Sequence, residues 1–283
     1  MATFYVSDLD GTLLSSTATL SSYTRHTLNR LLAAGLPFTV ATSRSVSSVG
    51  PIFRGLELPL PVIELNGAYI TDLATGEHLI VNDIEPAVAA AALQIAQDYG
   101  VAPLVSTYDG SADHMYFCQG GNAGVQWYID DAARNEDGRW HASPDLATSA
   151  LAEQVMRFTL IDTYERLLVI EQLLRSRLGS HLDLHLFENP YQPDWYWLTI
   201  QDRRATKASG IREVQALRGL ENHRLTVFGD HDNDISMFQL ADVAVATANA
   251  TDRLRRHATE IIGHHSEDSV VKYLETGWSR SGQ

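Results

Sequence analysis

Two aspartates, Asp8 and Asp10, stand two apart in the stretch VSDLDGTLL, behind the apolar run FYV and ahead of a Gly-Thr pair. Asp and Gly both favour turns, so one reading without chemistry is simply the turn that ends a short strand. A carboxylate pair becomes chemistry when other segments bring partners to it. The segments able to do so are Thr42, Ser43 and Arg44 after an apolar run, Asn66 and Gly67 after another, Lys207 at the start of KASGIREVQALRG, and the acidic run GDHDND at 229–234. In a parallel α/β sheet the residues just beyond each strand's carboxyl end face one crevice. Carboxylate, hydroxyl and amide oxygens gathered there suit a hard cation such as Mg2+. A lysine beside them supplies the positive charge that a bound phosphate also needs. An acidic metal site next to a lysine is what phosphoryl transfer requires.

The elements that must position these groups follow from the apolar periodicity. FYVSD is strand-like, SSYTRHTLNRLLAAG reads as a helix with a Ser cap and a closing glycine, and LPFTVATS is a second strand, which makes a βαβ unit. PVIELNGAYI continues as a strand, and AYITDLATGEHLIV reads as a hairpin about a Thr-Gly turn. The alternation resumes near the end with the strands HRLTVFGD, DVAVAT and EIIG, separated by the helix candidates DISMFQLA and ATDRLRRHA. Between these blocks, over 83–200, helices such as EPAVAAAALQIAQDYG and TYERLLVIEQLLRSRLG stand among the strand candidates APLVSTY, HMYFCQ, VMRFTLI, LDLHLF and WYWLTI. The expected fold is α/β: a Rossmann-like parallel-sheet core from residues 1–82 and 201–283, with an inserted α+β domain over 83–200.

At 283 residues the chain is long enough for one large domain or two ordinary ones, and 45% apolar with 20% charged residues is an ordinary globular composition. A formal net charge of −14, with no Lys/Arg cluster, argues against nucleic acid or an anionic membrane as the main partner. The single cysteine, Cys118, rules out an internal disulfide framework and a zinc-thiolate cage. It reads as a small buried hydrophobe and fits a reducing cytoplasm. No export signal is read at the start, and the most apolar run, AVAAAALQIA, is too short to span a bilayer. The expected setting is cytoplasmic, as a monomer or a homodimer.

The acidic run DHDND imitates the first positions of a calcium loop but fails it, because Ile235 stands where a glycine is needed and Ala241 where a glutamate is needed. Helix capping by Asp230 or Asp232 is the remaining plain reading of that run. Taken together, DLDGT, the Thr after a strand in VATSR, NGA, the Lys in ATKASGI, and GDHDND followed by VAVATANA resemble the haloacid dehalogenase-like hydrolase superfamily. More narrowly, the chain is similar to the Cof-type phosphatases, whose α+β cap of the C2B type is inserted between the second and third motifs. The motifs run from residue 8 to residue 250.

That resemblance implies a role for each matching residue. Asp8 matches the nucleophile that becomes a transient aspartyl phosphate, and Asp10 the general acid and base that serves both steps. Thr42 matches the hydroxyl that binds a phosphoryl oxygen, with Ser43, Asn66 and Asn233 as further phosphate-binding positions. Lys207 matches the cation that offsets charge on nucleophile and phosphate. Asp230 matches the direct Mg2+ ligand beside Asp8 and the main-chain carbonyl of Asp10, while Asn233 and Asp234 match positions that orient metal waters and Lys207. The family usually carries Thr-Gly-Arg where this chain has Thr42-Ser43-Arg44. The implied activity is Mg2+-dependent hydrolysis of a small phosphorylated metabolite, a sugar phosphate or similar, with a phosphomutase of the phosphomannomutase type as the alternative. A ligand-binding protein without catalysis is disfavoured, because every carboxylate the chemistry needs is present. Tyr108, His114, Tyr116, Arg157, His185, Glu188 and Trp195 are the possible substrate contacts in the insert, whereas Trp127, Tyr128 and Trp197 fit core packing.

Overall fold

The structure is a computed structural model and describes residues 2–134, 136–189 and 192–281. The chain divides into two compact units: residues 1–81 together with 205–283, and residues 82–204. The first unit begins with β1 (Thr3–Ser7), α1 (Ser22–Ala33), β2 (Phe38–Val40), α2 (Val46–Phe53), β3 (Val62–Glu64), β4 (Tyr69–Thr71) and β5 (His78–Val81). The second holds α3 (Pro86–Asp98), β6 (Leu104–Tyr108), β7 (Asp113–Phe117), α4 (Ala123–Arg134), β8 (Trp140–Ala142), α5 (Leu146–Ser149), β9 (Gln154–Asp162), α6 (Tyr164–Leu178), β10 (Leu182–Glu188) and β11 (Tyr196–Asp202). The first unit then closes with α7 (Lys207–Arg218), β12 (Arg224–Gly229), α8 (Ile235–Leu240), β13 (Val243–Ala246), α9 (Asp252–Arg255), β14 (Glu260–Ile261) and α10 (Ser269–Ser281).

The first unit is built on a parallel sheet in the order β14-β13-β12-β1-β2. Its inner strands are covered on both faces, so they read as continuous apolar runs rather than alternating ones. Tyr5, Phe38, Val40 and Phe228 pack on one face with Leu28, Leu31 and Val271 of α1 and α10. Phe4, Val6, Val227 and Ala244 pack on the other with Ile211, Val214 and Met237 of α7 and α8. The Ser21 hydroxyl accepts the Thr24 amide at 2.9 Å, so α1 has the serine cap expected of it.

PVIELNGAYI is not one strand. The chain reverses at Leu65–Gly67, where φ is 45° at Leu65, 57° at Asn66 and 110° at Gly67, and β3-β4-β5 form an antiparallel meander. Apolar periodicity ran through the turn because the residues on both sides of it are buried. The reversal keeps β3 beside the parallel sheet through the bridge of Ala41 to Ile63 and the bond from the Thr42 amide to the Ile63 carbonyl, 2.8 Å.

The second unit is a six-stranded sheet in the order β10-β11-β9-β6-β7-β8. One face carries Val105, Phe158, Leu160 and Leu198 against Leu93 of α3 and Leu167 and Ile170 of α6. On the other, Leu104, Met115 and Ile161 pack with Val125 and Tyr128 of α4 and with Trp140, Trp195 and Trp197. The short strand β8 and the helix α4 are not among the elements read from the sequence.

Candidate active site

Three segments end on the same edge of the parallel sheet. Asp8 directly follows β1, with its amide bonded to the Phe228 carbonyl at 2.9 Å. The turn at Leu9–Leu13 holds Gly11 at φ 69°, a backbone region open to glycine and costly for other residues. Space forbids a side chain there as well, because a Cβ on Gly11 would lie 2.1 Å from Asp230 Oδ2. Asp230 directly follows β12, and Thr42 lies two residues past β2. Gly67 is needed on the opposite wall: a Cβ there would stand 2.5 Å from the Thr206 carbonyl, at the entrance to α7.

That close approach delivers Lys207. Its Nζ donates to Asp8 Oδ1 at 2.7 Å and to Asp234 Oδ1 at 2.6 Å, and the residue is 1% exposed. Asp234 Oδ2 accepts the backbone amides of Asp230 at 2.9 Å and His231 at 3.0 Å, which folds the loop 230–234 back on itself. Asp230 Oδ1 accepts from the Thr12 hydroxyl at 3.1 Å. One ligand atom from each of Asp8, Asp230 and Asp234 lies within 4.8 Å of the others. Among the described residues one lysine faces the three carboxylates, and the imbalance shows in the acid strengths. Burial, then the Asp234 charge, pushes Asp230 up to about 7 against the opposing pull of Lys207 and Thr12. Burial likewise raises Asp8, Lys207 opposing it, with Asp234 and Asp230 adding to the rise. Burial works against the Lys207 charge, but Asp234 and Asp8 outweigh it, so the ammonium is held above its ordinary value. A buried, all-oxygen cluster with surplus negative charge fits Mg2+, which prefers hard oxygen donors.

The remaining residues singled out in the sequence fall around this centre. Thr42 is buried, and its Oγ1 accepts the Arg44 amide at 3.1 Å. Asn233 Nδ2 donates to Asn66 Oδ1 at 3.1 Å, which joins two segments 167 residues apart. Ser43 is exposed at the tip of the same loop as Thr42. The Asp10 side chain turns away from the three-carboxylate group to Arg44, whose Nε and Nη2 donate to its two oxygens at 2.7 and 2.6 Å. Arg44 stands among the strand-end residues read from the sequence, but its pairing with Asp10 is not foreseen there, and Thr12 and Asn249 are not singled out by residue type. Asn249 Nδ2 donates to the Gly11 carbonyl at 2.8 Å and fixes the turn just after Asp10. All three lie inside stretches already notable in the sequence: TSR, DLDGT and ATANA.

In the second unit the residues proposed from sequence as substrate contacts separate. His114 and Tyr116 join Thr107 in bonds to the Glu153 carboxylate, at 3.0, 2.8 and 2.6 Å. Trp195 packs against Gly124 at the start of α4, where a Cβ would stand 2.6 Å from its ring. Tyr128 and Trp197 pack ring to ring at 4.7 Å, as core residues do.

A parallel α/β core carrying buried aspartates and a lysine at its carboxyl edge marks an enzyme of the haloacid dehalogenase type. The family model described as haloacid dehalogenase-like hydrolase matches residues 5–274, and the chain belongs to that family, as a phosphatase of its Cof type. The chain is 26% identical over 275 residues to the 5-amino-6-(5-phospho-D-ribitylamino)uracil phosphatase YitU of Bacillus subtilis, covering 96% of each. It is 24% identical over 284 residues to the pyridoxal phosphate phosphatase YbhA of Escherichia coli, covering 94% of this chain and 95% of that one. Among solved structures, a haloacid dehalogenase-like hydrolase from Bacteroides thetaiotaomicron superposes with a TM-score of 0.78 at 24% identity, over 98% of this chain and 99% of that one. Among the described residues, no helix is long and apolar enough to cross a membrane.

Proposed function

We propose that this chain hydrolyses a small phosphate monoester in two steps through an aspartyl phosphate on Asp8. The observation that carries the reading is Lys207, clasped between Asp8 and Asp234 beside Asp230. Lys207 donates to Asp8 Oδ1 and so fixes the orientation of the carboxylate that would attack phosphorus. In the first step the Asp8 oxygen bonds to phosphorus, the ester P–O bond breaks, and Asp10 gives its proton to the departing oxygen. In the second, Asp10 takes a proton from water, that water's oxygen bonds to phosphorus, and the bond to Asp8 breaks to release inorganic phosphate. The Thr42 hydroxyl would donate to a phosphoryl oxygen, and Asn66 and Asn233, bonded to each other, would border the same group. Asp8 and Asp230, with the Asp10 carbonyl, are the groups that would hold Mg2+. Asp234, whose oxygens accept from Lys207 and two amides, would steady them. Mg2+ when bound supplies the charge that lets a carboxylate and a phosphate dianion approach.

In this reading residues 82–204 form the cap that selects the ester, and residues 1–81 with 205–283 carry the chemistry. Relatives named for a ribitylamino-uracil phosphate and for pyridoxal phosphate point to phosphate esters of small nitrogen heterocycles, with sugar phosphates next.

The test is a panel of such esters with Mg2+, measuring free phosphate, for the parent and for Asp8→Asn. Asp8→Asn keeps the shape and removes the nucleophile, so turnover should fall at least ~1000-fold in a chain that still folds. Substantial turnover by pure Asp8→Asn would refute the covalent step. A strict requirement for a sugar bisphosphate would turn the assignment to a mutase.

A further inference from the structure

The Arg44 side chain has no part in the steps above, yet it grips the proton shuttle. Its Nε donates to Asp10 Oδ2 at 2.7 Å and its Nη2 to Asp10 Oδ1 at 2.6 Å, so one planar edge meets both oxygens of one carboxylate. Such a fork fixes orientation as well as charge, which a lysine's point charge does not. The Asp10 side chain is 41% exposed and that of Arg44 23%. Ion pairs this wet contribute little to stability, so holding the chain together does not explain the geometry. Arg44 is itself anchored: its amide donates to Thr42 Oγ1 at 3.1 Å, and its carbonyl accepts the Leu65 amide at 2.9 Å. Residues 42–44 therefore carry both the hydroxyl assigned to the phosphoryl group and the guanidinium that sets the Asp10 carboxylate.

We propose that Arg44 is the positioning residue for proton delivery: its fork aims Asp10 at the oxygen leaving phosphorus, and its amide ties that aim to Thr42. The proposal rests on the reading of Asp10 as acid and base. As the ester P–O bond breaks, one Asp10 oxygen passes its proton to the leaving oxygen while the other keeps a single hydrogen bond from Arg44. When Asp10 takes a proton from the attacking water, the same single contact holds it. Between the two steps Asp10 is ionised and accepts the full fork, and the proton it then takes from water is the one it gives to the next leaving oxygen.

Leaving-group dependence separates aiming from mere support of the loop. 4-Nitrophenyl phosphate releases a stable anion that needs no proton, whereas glycerol phosphate releases an alkoxide that does. In the full chain with Mg2+, Arg44→Ala should lose about 100-fold in kcat on glycerol phosphate and less than about 10-fold on 4-nitrophenyl phosphate. KM should stay within about threefold for both, because Thr42 and Lys207 still hold the phosphate. Arg44→Lys, with a single point of contact, should fall between parent and Arg44→Ala on glycerol phosphate. If circular dichroism shows Arg44→Ala unfolded, Arg44→Gln takes its place with the same expectations. Equal losses on both esters, or a raised KM with kcat intact, would overturn the proposal, the second outcome making Arg44 a ligand of the substrate. Asp10→Asn, measured alongside, tells the two readings apart. If it shows the ester-dependent loss and Arg44→Ala does not, only the Arg44 assignment falls. If Asp10→Asn itself turns over both esters at the parent's rate, the acid and base reading falls and takes this one with it.

Discussion

Two carboxylates in this molecule are held in opposite ways. Asp230, at the sheet edge of the first unit, shares a buried space with Asp8 and Asp234, and is pushed up to about 7. Glu153, just before β9 in the second unit, is raised by burial but accepts from Thr107, His114 and Tyr116, and those bonds outweigh the burial and lower it. Desolvation acts on both; the difference lies in the neighbours, like charges in one case and donors in the other. A satisfied carboxylate ties strands together, whereas a cluster left with surplus charge is poised to receive something positive. On the proposed reading the first unit holds the reactive centre and the Glu153 cluster acts as a structural clasp.

The sharpest break of that contrast is Lys207→Met. It leaves Asp8 and Asp234 buried without their cation, which should cost ~3–5 kcal/mol of stability, the range for breaking a buried ion pair, and abolish turnover. Chemical denaturation and a phosphate-release assay read the two effects. Unchanged stability would mean that the three carboxylates are not crowded as described.

Asp230→Asn should act in the opposite sense on stability. Its folded acid constant is raised above the unfolded value, so its contribution is complete below about pH 4 and is lost as pH rises toward 7. Metal-free parent protein should therefore melt several degrees lower at pH 8 than this one group would allow at pH 5. The variant should lack that part of the slope and gain about 2–4 °C at pH 8. Mg2+ should raise the melting midpoint of the parent and not of the variant, and EDTA should abolish the parent's turnover until Mg2+ is restored. A parent whose melting midpoint ignores Mg2+ at every pH would contradict the cation site.

The smallest effect belongs to Glu153→Gln. Here the folded acid constant is lowered, so the stabilisation is present above the ordinary glutamate range near pH 4.3 and fades as pH falls through the folded value. At pH 7 the variant should lose about 1–2 kcal/mol, and parent and variant should converge in acid. The Mg2+ requirement should not change. A loss of turnover with full stability would instead make the Glu153 cluster part of substrate recognition.

The parallel core and its alternation with helices were legible because strands covered on both faces must be apolar throughout, and the Ser21 cap because its hydroxyl acts within one turn. Elements whose form depends on what covers them were less visible. The reversal at Leu65–Gly67 hides inside an apolar run, and α4 packs on Trp195 and Trp197, more than fifty residues along the chain. Near the reactive centre, Asp8, Asp230 and Lys207 could be named because each follows a strand or opens a helix. The partner of Asp10 could not, since Arg44 meets it across 34 residues through a loop whose shape no local pattern dictates.

Sequence alone determined which groups this protein owns and the order in which strands present them: residue type, spacing and apolar period are local properties, and a parallel sheet converts strand ends into neighbours. Tertiary structure decided how those groups pair. Whether Lys207 spans two aspartates, whether Asp230 is strained by like charge, and whether Asp10 faces the cluster or the Arg44 fork all depend on distances of a few ångströms between segments far apart in the chain. Electrostatic energy at such distances changes too steeply with separation and burial for any linear reading to supply it.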